Sequence, residues 1–221
     1  MAACAIAGAL AVPIDVVATP VSTLVAGVAG FLGLRLWRWS WLPSWLKTPA
    51  ANGFTHLVRL VGCLALGLLV GLLALGVIRL AIEPIIPAAG ARIAAAGALP
   101  IWRRLAIIYV AAVGEELVFR LLLLSVAAGL MMRLLRRNVG ATDRGVMFGS
   151  VALSALGFAA VHLPAWSNVG PLSIGLALMV IMLNGLGGVV FGYLFVTRGI
   201  VAAMVAHAGA DCAIQLIGPL T

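Results

Sequence analysis

Apolar residues in this chain fall into long runs separated by short polar stretches. Residues 3–34 are apolar but broken by Pro13, Asp15 and Pro20, which predicts a kinked entry piece and then a span over about 16–36. A second run, about 57–81, stops before Glu83 and Pro84, and the Pro-, Ala- and Gly-rich residues 84–100 predict a connector or short interfacial helix. A third run, about 105–132, is closed by Arg133, Arg136 and Arg137. The fourth, about 145–163, is stopped by Pro164, because a residue before proline avoids the helical region. A fifth covers about 172–196 and a sixth about 199–217. At 1.5 Å per residue these runs match a hydrocarbon core of roughly 30 Å. The pattern predicts an all-α polytopic membrane helix bundle of about six transmembrane helices. Residues 1–100 read as N-terminal membrane segments and interfacial loops, and 101–221 as the helical core that carries the chemistry.

Composition removes the soluble alternatives. The chain is 64% hydrophobic and 9% charged, with mean hydropathy +1.23, and no soluble domain has that balance. The net charge of +8 is no nucleic-acid footprint, because the arginines lie between apolar segments and form no stripe. Trp37, Trp39, Trp41 and Trp45 lie among Arg35, Arg38, Lys47 and Arg59, the signature of a membrane interface. In a six-span arrangement the 35–59, 133–144 and 197–199 connections carry nine Lys and Arg, against four at the other end (Arg79, Arg92, Arg103, Arg104). The positive-inside rule then makes the first side cytoplasmic and puts both termini outside. No Lys or Arg precedes Arg35, so the basic start of a secretory signal is missing and the N-terminal stretch is expected to stay as a membrane segment. Cys4, Cys63 and Cys212 show no paired spacing and read as small buried hydrophobes, with neither a disulfide nor a thiolate-bound metal.

Charge inside the third run is what demands an explanation. Glu115, Glu116 and Arg120 lie near its middle, where each ionised group costs about 2.5–3.5 kcal/mol on insertion scales. Glu116 and Arg120 are i and i+4, so they share a helix face as an ion pair, whereas Glu115 is turned about 100° away and has no such partner. Glu115 is therefore the candidate chemical group and the Glu116–Arg120 pair its brace. His56 sits in the basic connection and reads as ordinary. His162 ends the fourth run, with Phe158 on the same face, and His207 shares a face with Asp211 in the sixth. Intramembrane ionisable groups usually face one another or a watery cavity, so one polar site between spans three, four and six is expected. Ser150 and Ser154 have no companions of a serine nucleophile, and no zinc-protease helix, nucleophile elbow or phosphate loop occurs. Gly185, Gly187, Gly188 and Gly192 supply small residues for close helix approach.

The order Glu115-Glu116-x-x-x-Arg120, Phe158-x-x-x-His162, His207-x-x-x-Asp211 on successive apolar runs resembles the CPBP intramembrane proteases. This is the CAAX- and bacteriocin-processing or Abi group, which includes the type II CAAX prenyl endopeptidases. The stretch from Gly192 to Gly199 also looks like that family's approach to its second histidine, and the resemblance covers about 105–215. It implies a CPBP-like catalytic core in which Glu115 and His162 polarise a water and His207 with residue 211 stabilises the oxyanion. It leaves the cofactor open: none, or a divalent metal such as zinc held by Glu115, His162, His207 and Asp211. Asp211 stands where eukaryotic-type members have Asn, so it must be protonated, orient His207 or bind a metal. Leu121 stands where many members have Gly.

The expected protein is thus an intramembrane endopeptidase of a bacterial cytoplasmic membrane, with its site open to the cytoplasmic side. Its partners are a peptide or membrane-anchored protein substrate and the lipid bilayer, with no nucleic acid. The alternatives are a non-catalytic immunity or scaffold relative, and an ion- or proton-coupled transporter. One conflict stands within this expectation. Counted from the basic connections, His207 lies about 12 Å in and His162 about 27 Å in, so some helix must be tilted, broken or differently bounded for them to meet.

Overall fold

A computed structural model describes residues 18–40, 53–135, 143–167 and 173–221, and these are helical, with no strand among them. The helices are α1 (Ala18–Ser40), α2 (Gly53–Val77), α3 (Pro87–Ala96), α4 (from Ile101), α5 (Arg144–Ala160), α6 (Leu163–Ser167), α7 (Ile174–Arg198) and α8 (Ile200–Cys212). α2 runs on through a π-helical turn, Ile78–Ile82. α4 continues as a π-helix over Leu117–Leu124 and as α-helix over Ser125–Leu134. α8 continues to Leu220. Five of these helices are long and apolar enough to cross a membrane, and α1 contributes a shorter apolar stretch, Leu24–Leu36. The protein is an all-α polytopic membrane bundle. Asp15, Trp41, Trp45, Lys47, Arg136 and Arg137 lie outside the described residues.

Small residues set the packing and reveal the direction of each helix. Side chains added at Gly67 and Gly71 of α2 would collide with the backbone at Ala206 and Ala210 of α8, so these two helices run parallel with their backbones touching. Membrane helices gain little from the hydrophobic effect on associating, and such close approach supplies the packing instead. Gly188 of α7 meets Ala155 of α5 (2.9 Å to a Cβ on the glycine) and Gly192 meets Val151 (3.0 Å), which makes α5 and α7 antiparallel. Gly157 and Gly149 of α5 face Leu123 and Met131 of α4, again antiparallel, while Gly33 of α1 faces Leu121. Gly67→Val is expected to cost about 3 kcal/mol, the upper end for overpacking. It pushes on Ala206, the residue next to His207; thermal unfolding in detergent checks the loss.

The depth conflict is resolved by the turn between α7 and α8. Gly199 has φ 93°, a conformation that suits glycine and little else. This turn sits low along the bundle, for Val196 and Ile200 are buried in one cluster with Cys63, Leu117 and Leu124, while Thr197 and Arg198 stay exposed. Arg198 reaches Cys63 Sγ at 3.8 Å, ten residues into α2 and therefore about 15 Å from its start. A turn recessed by that amount brings His207 level with the end of α5. The π-helical stretch of α4 is tied in beside it: Ser154 donates to the Phe119 carbonyl at 2.7 Å, one of the groups a change of helical register displaces. Ser154→Ala removes that hydrogen bond, an expected loss of about 0.5–1.5 kcal/mol in the same melt.

Candidate active site

Glu116 and Arg120 are fully buried, on the π-helical part of α4 and the turn before it. Their expected pair forms, Arg120 Nη1 lying 3.2 Å from Glu116 Oε1. The guanidinium is also held between two aromatic faces, 4.5 Å from the Phe158 ring and 5.6 Å from the Phe191 ring, and donates to the Gly188 carbonyl at 3.4 Å. A desolvated cation gains most from such faces.

Glu116 does more than brace its neighbour. The same Oε1 accepts a 2.8 Å hydrogen bond from His207 Nδ1. The carboxylate fixes the proton on Nδ1, so Nε2 is the free end of the ring. Phe191 stacks on this imidazole with centroids 4.8 Å apart, and the Phe158 edge packs on it at 5.6 Å. The ring is therefore clamped in plane and in register. Its Nε2 faces Glu115 Oε2 and Asp211 Oδ2, each 3.8 Å away, and both oxygens are buried without a hydrogen-bond partner. That separation is too long for a direct hydrogen bond.

His162 follows α5 on a short turn, with Nδ1 2.7 Å from the Phe158 carbonyl. A carbonyl only accepts, so Nδ1 carries the proton and Nε2 offers a lone pair. The Phe158 ring touches this imidazole too, at 4.8 Å. A cavity of about 310 Å³ joins these parts, with Glu115, His162, His207 and Asp211 all in its wall. The four expected residues thus share one cavity, and two of them, Glu115 and Asp211, face His207 Nε2.

Metal binding fits this arrangement poorly. Among the described residues no three His, Cys, Asp or Glu side chains are placed to hold an ion. His207 directs Nδ1 to Glu116, and its Nε2 stands 3.8 Å from each acid without a common centre shared with His162. No step below is routed through a metal.

Three features escaped the sequence reading. Phe191 came from a glycine-rich stretch read only as packing. The Glu116–His207 bond joins residues 91 positions apart, with no local signal. The third is where the cavity leads. It continues past Asn184 and Gln215 to Arg92 of α3 and Trp166 of α6. There Arg92 lies over the Trp166 ring at 5.3 Å and donates to the Ala165 carbonyl, and burial pulls its pKa below the ordinary arginine value. On the opposite side of His207 the buried residues Leu117, Leu121, Leu194, Ala203 and Ala206 close the site with an apolar plug. The cavity therefore leads away from the 35–59 and 133–144 connections.

The family of type II CAAX prenyl endopeptidase Rce1-like proteins matches residues 97–213. The chain belongs to that family. Membership places it among membrane proteases, and the apolar helices make it an integral membrane protein. The matched stretch of this Rce1-like chain runs from just before α4 to the end of α8 and includes every residue of the site. No curated protein and no solved structure matches the chain.

Proposed function

We propose that this protein is an intramembrane endopeptidase that hydrolyses a peptide bond of a peptide or membrane-anchored protein. The observation that carries the reading is the buried Glu116–His207 bond, which aims Nε2 into a gap shared with Glu115 and Asp211. Water admitted to the adjoining cavity sits against Glu115, the acid with no cation of its own. Glu115 takes the water proton as the oxygen bonds to the substrate carbonyl carbon. The His162 Nε2 lone pair accepts the water's second hydrogen and orients it. The developing oxyanion lies against His207, which enters the step with both ring nitrogens protonated and donates from Nε2 while Nδ1–H stays on Glu116, so no proton is taken up by the ring during attack. Glu115 then returns its proton to the leaving amine as the C–N bond breaks. Donors preset toward a developing oxyanion are often the largest catalytic contribution.

Asp211 is one helical turn from His207 and serves this scheme as a protonated acid or as an orienting partner. Asp211→Asn keeps a polar group of the same size and removes the charge facing the oxyanion. The expected change in kcat/KM is small, about one hydrogen bond or roughly fivefold, in a peptide-cleavage assay. A loss near that of a Glu115 variant would make the carboxyl group of Asp211 essential and move the base away from Glu115.

The test of the function is mass spectrometry of new peptide termini in cells carrying the wild type or Glu115→Gln at matched membrane levels. Termini absent from the variant identify substrate and cut site together. Identical sets of termini, with the cellular phenotype retained by the variant, would reject peptidase chemistry at Glu115.

A further inference from the structure

A second hollow lies on the outer face of the bundle and shares no residue with the catalytic cavity. It has a volume of about 300 Å³ and lies between α2, α5 and α7. Leu66, Met147, Phe148, Val189 and Tyr193 form its wall, and Arg198 stands at one end. We propose that this groove seats one anionic phospholipid, with an acyl chain along α7 and the phosphate held by Arg59, Arg144 and Arg198.

Helix register gathers those three cations at the same end. Gly188 and Gly192 of α7 meet Ala155 and Val151 of α5. Continued to the end of α7, that antiparallel pairing sets Arg198 opposite the first turn of α5, where Arg144 stands. Met147 and Phe148 follow Arg144 by three and four positions, so all three share one face of α5. On α2, Arg198 reaches Cys63 Sγ at 3.8 Å. Arg59 precedes Cys63 by four positions and Leu66 by seven, again on one face. Each helix of the groove thus brings one arginine to this end.

None of the three is neutralised by the protein. Among the described residues Arg59, Arg144 and Arg198 form no ion pair, and all three are exposed. Asp143, the acid beside Arg144, accepts from the Gly145 and Val146 amides as the cap of α5. The sulfur that Arg198 meets is only a weak acceptor. Guanidinium forks match phosphate oxygens, and basic pockets between membrane helices recognise anionic headgroups. The wall supplies the rest of the ligand. Phe148, Val189 and Tyr193 are each about half exposed, so the groove is open where a bilayer surrounds the bundle. Val189 to Arg198 is about 14 Å of helix. One leaflet contributes half of a roughly 30 Å hydrocarbon core, so a chain anchored at Arg198 is matched along its length. That match favours a lipid over a free phosphate.

The experiment is native mass spectrometry of the full chain in detergent, titrated with phosphatidylglycerol or phosphatidylcholine of the same acyl chains. The wild type is expected to retain one phosphatidylglycerol at least about tenfold more tightly than phosphatidylcholine, less so as salt rises. Arg59→Gln, Arg144→Gln and Arg198→Gln combined should bring the two lipids level. Val189→Trp fills the groove but keeps the charges, and should weaken phosphatidylglycerol about tenfold by displacing methylenes from apolar contact. Equal retention of both lipids by the wild type overturns the proposal, as does a preference that survives the triple variant. Undiminished binding to Val189→Trp overturns it too, since the headgroup alone would then suffice. Melts without added lipid verify that each variant is folded. Should the triple variant fail to accumulate, Arg144→Gln replaces it, with an expected loss of about fivefold, the share of one basic residue near the surface; no loss there rejects the site. Cleavage is not read, so neither result bears on the peptidase reading.

Discussion

Glu115→Gln is expected to slow peptide-bond cleavage by about 10²–10⁴-fold, the usual contribution of a positioned base, while leaving the bundle folded. The glutamine keeps the length and polarity of the side chain but cannot take a proton from water. Glu115 Oε2 has no hydrogen-bond partner, so little structure depends on its charge. The melting temperature should therefore stay near that of the wild type as the rate collapses. Glu115→Asp is the informative companion. It retains the acid but withdraws it by one methylene from a gap already 3.8 Å wide, and should fall between the two. Purified protein in detergent, assayed for turnover beside a thermal melt, separates the outcomes. A Gln variant that cuts at the wild-type rate would move the base to Asp211 or His162.

Glu116→Ala should do the opposite kind of damage. Removing one member of a buried ion pair leaves an uncompensated charge and typically costs about 3–5 kcal/mol. Arg120 is fully buried between two aromatic rings, so its charge cannot reach water without opening the site. The variant is expected to melt early or fail to accumulate. The double variant Glu116→Ala with Arg120→Met replaces the orphaned cation by an apolar chain and should recover most of the stability. It should remain inactive, because His207 has lost the acceptor that holds its ring. Recovery of stability and activity together would show that the hydrogen bond to Nδ1 has no part in positioning the imidazole.

Much of the architecture could be read from hydropathy, since each long helix appears as an apolar run, and Pro84 and Pro164 follow the ends that form. The i,i+4 relation of Glu116 to Arg120 is local, and so was legible. The second partner of Glu116 was not, because a bond to a residue on a distant helix leaves no mark on spacing. The recessed α7–α8 turn was hidden for a related reason. Arg198 and Gly199 look the same in sequence whether a turn ends at the membrane surface or inside a bundle. The π-helical register of Leu117–Leu124 was equally silent, and the Ser154 hydroxyl that meets its Phe119 carbonyl comes from α5, on another run. Arg79, Arg92 and Arg104 were read as topology charges, and their bonds to backbone carbonyls appear only once the helix ends are brought together.

The backbone contact between α2 and α8 has a further consequence. α2 lies outside the stretch that identifies the family, yet Val70, Gly71, Ala74 and Ile78 form part of the cavity wall. A chain starting at residue 97 would keep every ionisable group of the site and lose the surface that α8 leans on. Expressed alone it should be inert; supplied with residues 1–96 as a separate polypeptide, it should regain function by complementation. The chemistry and the surface it leans on thus lie in different stretches of the chain, joined where two glycines of α2, one turn apart, meet Ala206 and Ala210.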